Sequence, residues 1–218
     1  MRFRDRSDAG HRLAERLSTV ETDNAVVIAL PRGGVPVGAV VAKELGLPLD
    51  VILVRKVGAP LQPELAVGAV TDGDEMQLTI NRDIQRELGL SDEEIEQLAR
   101  RQLPEIERRR ETYYSGRSPT PLSGKTVIVV DDGVATGATV NSALRLIWAQ
   151  KPARLILALP VAPADTIANL EEHADEVICL QTPSPFYAVG AHYADFSQVS
   201  DEEVISLLDR AHARERGT

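Results

Sequence analysis

Short apolar runs recur along the chain between stretches with helical spacing. Residues 25–30, 49–54, 126–130 and 155–159 are nearly continuous apolar segments of strand length, and 176–180 adds a fifth. Unbroken runs of that length suit strands buried on both faces, as in a parallel sheet. Helical patterns lie beside them. Residues 9–17 bring Ala9, Leu13 and Leu17 onto one face, and 35–45, 137–150 and 163–173 follow the first, third and fourth runs. Strand alternating with helix predicts an α/β fold, an open, mostly parallel twisted sheet flanked by helices. One more short amphipathic helix is expected from Asp201 onward.

The second and third of these strands are separated by a long excursion, residues 58–124. Its early part, 65–80, alternates and predicts a hairpin around Asp72-Gly73-Asp74. Its later part opens with Ser91-Asp92-Glu93-Glu94, the pattern of a capping box, and predicts a long helix running to about Tyr114 before Gly116 and Pro119 stop it. Arg108-Arg109-Arg110 reads either as a solvated face balanced by Glu105, Glu107 and Glu111 or as a group turned toward a ligand.

The 218 residues are 43% hydrophobic and 26% charged, so the chain should fold around a substantial core. A net charge of −9 speaks against a nucleic-acid partner, and a highly anionic ligand would need a local cationic pocket. Cys179 is the sole cysteine, which excludes an internal disulfide and reads as a buried inert thiol. Residues 1–10 are charged rather than apolar, and no apolar run approaches the roughly 20 residues that span a bilayer. A cytoplasmic protein is expected.

The chemistry concentrates in residues 127–139: four apolar residues, Asp131-Asp132, then Gly133-Val134-Ala135-Thr136-Gly137-Ala138-Thr139. A buried strand ends here in two carboxylates and a Gly/Thr loop opens a helix, at the strand end where ligands bind in open α/β sheets. Amide groups at a helix start lack intrahelical partners and favour an anion, and the Thr136 and Thr139 hydroxyls can donate to phosphate oxygens. Carboxylates repel phosphate. Asp131 and Asp132 suit vicinal ribose hydroxyls and a water-coordinated Mg²⁺ instead.

This segment resembles the phosphoribosyl diphosphate signature of type I phosphoribosyltransferases. Pro31-Arg32-Gly33-Gly34 after the first strand is similar to the family's diphosphate-binding loop; Arg32 can pair with phosphate and the glycines expose amides. Its glycine spacing fits no dinucleotide fingerprint, and Gly137-Ala138 excludes a Walker P-loop. The resemblance implies a cis peptide at Pro31–Arg32. Arg55-Lys56, ending the second strand, resembles the pair by which adenine and orotate enzymes hold diphosphate, often across a dimer interface, which implies a homodimer. From the excursion, Arg109, Tyr113 and Arg117 are further candidates to reach the diphosphate.

Near the carboxyl end, residues 185–196 hold four of the chain's aromatic side chains and resemble the base-binding hood of purine phosphoribosyltransferases. Phe186 and Tyr187 would stack on a base and Asp195 would accept from its exocyclic amine. His192 is expected to be structural or exposed. Ala135 replaces the acid that 6-oxopurine enzymes carry in the loop, and Leu159-Pro160-Val161 lacks their lysine, which argues against a 6-oxopurine acceptor. The whole chain looks closest to stand-alone bacterial members, and 1–218 is expected to form one phosphoribosyltransferase domain with an insertion at about 58–124 and a hood at about 181–200.

The implied reaction transfers ribose 5-phosphate from phosphoribosyl diphosphate to a nitrogen nucleophile, with Mg²⁺ as cofactor and Asp131, Asp132, Arg32 and Lys56 as the catalytic set. Two other readings compete: a regulator of the same fold that senses phosphoribosyl diphosphate or nucleotides without turnover, and a silent interaction protein. The acidic balance weighs against the first in its nucleic-acid-binding form, and the intact Asp pair and phosphate loop weigh against the second.

Overall fold

The computed structural model describes residues 2–60, 62–71, 77–114 and 117–216. Its centre is a parallel sheet of β1 (Ala25–Ala29), β2 (Leu49–Val51), β6 (Thr126–Val130), β7 (Arg154–Val161) and β8 (Glu176–Gln181), in the order β2-β1-β6-β7-β8. Alternation divides the inner strands between two core layers. Val27, Ala29, Ile128, Val130, Ile156 and Ala158 pack with helices α1 (Arg6–Leu17), α2 (Gly34–Leu45) and α8 (Asp201–Arg216). Val26, Ile28, Val127, Val129, Leu155 and Leu157 pack with α6 (Ala138–Ala149) and α7 (Ala164–Leu170). Both faces are covered, which is why these strands read as unbroken apolar runs.

The run at 49–54 is not one strand. Only Leu49–Val51 stays in the parallel sheet, and from Val54 the chain enters a separate antiparallel sheet, β3 (Val54–Ala59), β4 (Gln62–Thr71) and β5 (Gln77–Ile80). Arg55 and Lys56 therefore lie within β3, paired with Val70 and Ala69, rather than at the end of the second parallel strand. Apolar continuity reports burial but not which sheet a residue joins. The hairpin expected over 65–80 is present as β4 and β5, with Thr71 opposite Gln77; its turn, at Asp72-Gly73-Asp74, falls outside the described residues.

The helical part of the insertion is broken into α3 (Arg82–Leu88), α4 (Asp92–Arg100) and α5 (Leu103–Tyr114) rather than one long helix after Ser91. The expected capping box is there: Ser91 Oγ accepts from the Glu94 amide while the Glu94 carboxylate accepts from the Ser91 amide. Pro104 accounts for the break, since proline lacks an N–H and is accommodated in the first turn of a helix but not in its interior. Gly116, expected to help stop α5, lies outside the described residues. The chain returns to the sheet under Asp50, whose carboxylate accepts from the Thr120 amide at 2.7 Å. No helix among the described residues is long and apolar enough to cross a membrane.

Candidate active site at the strand ends

In the order β2-β1-β6-β7-β8 the chain turns one way from β1 to β2 and the other way to β6, so β1 and β6 flank the switch point where open α/β sheets leave a crevice. The loops that follow these two strands meet there. A Cβ on Gly33 would lie 2.0 Å from Asp132 Oδ2, and one on Gly34 would lie 2.6 Å from the Val130 carbonyl oxygen. Residues 99 and 96 positions apart are thus in van der Waals contact, and the close approach requires glycine at both places. The Pro31–Arg32 peptide is cis, as expected for this loop.

After β6, Gly133 packs against Val161 and Val189, and the Val134 amide donates to the Val161 carbonyl at 2.9 Å. Val134 is therefore an anchor, and its amide is not directed to a ligand. Thr166 Oγ1 donates to the Ala135 carbonyl at 2.7 Å, fixing the loop from α7. Gly137, at φ 77°, is the N-cap of α6, where no side chain caps the first turn. The helix start, with Thr136 and Thr139 exposed beside it, thus presents uncapped amides of the kind that attract an anion.

Asp131 and Asp132 sit side by side in a partly buried setting. Asp131 Oδ1 accepts from the Asp132 amide at 2.9 Å. Burial, reinforced by the neighbouring Asp132 charge, pushes the Asp131 carboxyl well above the usual carboxylate range. Burial raises Asp132 as well, opposed by a residue the sequence did not flag, Arg6. Arg6 Nε donates to Asp132 Oδ2 at 2.8 Å, both side chains being only 12–13% exposed. Its Nη1 donates to the Ser197 carbonyl at 2.7 Å, and its Cζ lies 4.0 Å above the Phe196 ring. An arginine in the first turn of α1 carries no sign of its destination 126 residues away.

The hood is built jointly by both ends of the chain. The Phe3 amide donates to the His192 carbonyl, the Ala194 amide to Phe3 and the Asp195 amide to Arg4. Tyr193, absent from the expected site, is buried with its hydroxyl donating to the Asp132 carbonyl at 2.5 Å, and its ring lies 5.3 Å from that of Phe3 and 5.0 Å from that of Phe196. Phe186 stacks on His192 with ring centroids 5.2 Å apart. Tyr187 is 84% exposed, and the exposed Asp195 accepts from Ser197 N and Oγ, bonds that hold its carboxyl below the usual range.

The cationic candidates divide. Arg55 and Arg109 line a small cavity together with Pro31 and Thr139, joining β3 and α5 to the strand-end loops. Lys56, next along β3, points to the opposite side of the strand. Arg32 Nη1 lies 3.8 Å from Asp201 Oδ1 at the start of α8. The same carboxylate accepts from the Tyr113 hydroxyl at 2.5 Å; burial and this bond push the phenol upward. Arg117 donates to the Tyr113 and Tyr114 carbonyls and pairs with Asp209 at 3.3 Å. Tyr113 and Arg117 thus fasten α5 to α8, and neither lines the cavity shared by Arg55 and Arg109.

Residues 6–195 match the phosphoribosyl transferase domain. Two Mycobacterium tuberculosis proteins, from strains H37Rv and CDC 1551, whose names provisionally assign them as phosphoribosyl transferases, are each 47% identical over 210 residues, 96% of this chain. The chain spans 47% of the length of these relatives. The crystal structure of TT1426 from Thermus thermophilus superposes with a TM-score of 0.88 at 44% identity, covering 95% of this chain and 98% of that one. The chain belongs to the phosphoribosyl transferase domain family.

Proposed function

We propose that the chain transfers the ribose 5-phosphate unit of phosphoribosyl diphosphate to a nitrogen of a nucleobase-like acceptor, releasing diphosphate. The observation that carries this reading is the closure of the loop after β1 onto the acid pair after β6, with Gly33 against Asp132. A sugar that carries phosphate at one end and diphosphate at the other needs an anion cradle and a cationic loop on either side of two carboxylates.

In this reading the α6 start, from Thr136 to Thr139, holds the 5′-phosphate, and its role is positioning because that group does not react. Asp131 and Asp132 accept from the ribose hydroxyls and place negative charge beside the sugar as the anomeric carbon loses diphosphate and gains cationic character. Arg32, the Gly33 amide, Arg55 and Arg109 receive the leaving diphosphate, whereas the Gly34 amide donates to the Leu30 carbonyl at 3.0 Å and Lys56 faces the other side of β3. The acceptor nitrogen attacks from the opposite side with inversion. Phe186 and Tyr187 supply ring surface for the acceptor and Asp195 an acceptor group, while the hood excludes water.

The acid pair also fits Mg²⁺. Two adjacent carboxylates held above their usual pKa would be relieved by a cation, and no cluster of three or more His, Cys, Asp or Glu among the described residues offers a protein-only cage. Substrate oxygens and water would complete the shell, as is usual for this ion. Bound there, the ion would neutralise charge on the leaving diphosphate.

Calorimetry with Mg²⁺ and phosphoribosyl diphosphate tests the reading, followed by diphosphate release across a panel of nucleobases. Binding and release with one base are expected. Absence of any binding heat overturns the proposal, and binding without release for every base indicates a sensor of the same ligand.

A further inference from the structure

Helix α6 borders a second concavity, which meets the strand-end site at Thr136, Gly137 and Ala138 and extends away from it along the helix. A groove runs along its outer side, walled by β4, β5 and α3 on one flank and by α7 and the turn at 171–173 on the other. It comprises two cavities of about 340 and 430 Å³ that share Thr79, Arg145, Glu172 and His173.

Arg145 is held in this groove by neutral groups. Its Nε donates to Asn141 Oδ1 at 2.8 Å and its Nη2 lies 3.2 Å from His173 Nε2. Burial and the Arg145 charge both lower the His173 pKa, so the ring is a neutral acceptor toward the guanidinium. Among the described residues no carboxylate forms an ion pair with Arg145. A half-buried guanidinium whose hydrogen bonds go to neutral groups keeps its charge available to an anion, although Glu172 and Asp175 line the same groove. Three residues on along α6, Trp148 lines the same cavity with its side chain 54% exposed. Thr79 Oγ1, buried and without a hydrogen-bond partner among the described residues, belongs to a residue lining both cavities.

We infer that this groove binds a small ligand joining one anionic group to a flat ring, the chemistry of a nucleoside monophosphate, with the anion on Arg145 and the ring against Trp148. A guanidinium whose fork is already oriented by Asn141 and His173 loses little freedom on meeting a phosphate. An exposed indole offers a stacking face. Glu172 and Asp175 on the rim limit the charge that the groove accepts, so a monophosphate suits it better than a diphosphate or triphosphate. Thr136, Gly137 and Ala138 line one end of the groove, whereas Arg145 and Trp148 lie about two to three turns further along α6.

Trp148 is the only tryptophan in the chain, so its fluorescence reports on this groove alone. The protein is titrated with adenosine 5′-monophosphate, with and without saturating Mg²⁺ and phosphoribosyl diphosphate. A saturable fluorescence change that persists with the second ligand is expected. Arg145→Gln should weaken the affinity by roughly tenfold or more, and Arg145→Lys should recover part of the loss. Adenosine and inorganic phosphate, each lacking half of the recognised chemistry, should bind more weakly still. If Arg145→Gln does not fold, calorimetry on the surface variant Trp148→Ala should show weakened monophosphate binding. The inference fails if no saturable change occurs, if Arg145→Gln and Trp148→Ala bind as the parent does, or if phosphoribosyl diphosphate abolishes the signal. Should phosphoribosyl diphosphate not bind at all, the transferase reading fails while the Arg145 comparison still decides this one.

Discussion

Asp132 joins the three parts of the candidate site: its carboxylate meets Arg6 of α1, its carbonyl receives the Tyr193 hydroxyl of the hood, and its Oδ2 fills the space beside Gly33. Removing one member of a mostly buried ion pair leaves the other charge without compensation. Arg6→Gln should therefore lower stability by roughly 3 kcal/mol, and Arg6→Gln with Asp132→Asn should recover much of that loss in a urea-denaturation cycle. Asp131 makes the opposite prediction. Its folded pKa is raised, so the folded state binds more protons than the unfolded one and stability falls as pH rises above the ordinary carboxylate value. Asp131→Asn should raise the thermal midpoint at pH 7, with a gain that shrinks toward about pH 4, while weakening phosphoribosyl diphosphate binding. A lower midpoint at pH 7 would contradict this account. The Asp pair was legible in the sequence because adjacent acids at a strand end have few other uses. Arg6 was not, because nothing local distinguishes it from Arg2 or Arg4.

At the scale of elements, glycine placement decides how closely the two loops approach. Gly33→Ala puts a methyl group into the Asp132 carboxylate, and the resulting separation should reduce phosphoribosyl diphosphate affinity at least tenfold, read by calorimetry. Ser91→Ala removes one half of the capping box and should cost about 1 kcal/mol of stability without touching the strand-end site. The box was readable from four residues because capping is a local interaction. The break between α4 and α5 was also encoded locally, in Pro104, but the amphipathic pattern on either side masked it. The division of 49–54 was not local at all: Val54 takes its place by pairing with Thr71, and the hydropathy of the run is the same whichever sheet claims it.

Across the whole molecule, α8 is bound back onto the site through Asp201, which receives the Tyr113 hydroxyl and lies within ion-pair distance of Arg32 and Arg108. Tyr113→Phe removes a buried donor to a carboxylate and should cost about 1–2 kcal/mol in chemical denaturation. The carboxyl-terminal helix and the proposed diphosphate loop are thus mechanically linked, although their sequences share no motif. By itself, the sequence determined the strand and helix periodicity, the glycine-bearing turn from β6 into α6 and the family, because each resides in a short continuous segment whose residue types constrain backbone and charge directly. Only the tertiary structure decided that Arg6 neutralises Asp132, that Arg109 reaches the strand ends while Tyr113 and Arg117 hold α8, and that Arg145 lacks a carboxylate partner among the described residues. Those outcomes depend on which distant segments the two core layers bring together, and pair interactions across such separations leave no trace in local spacing.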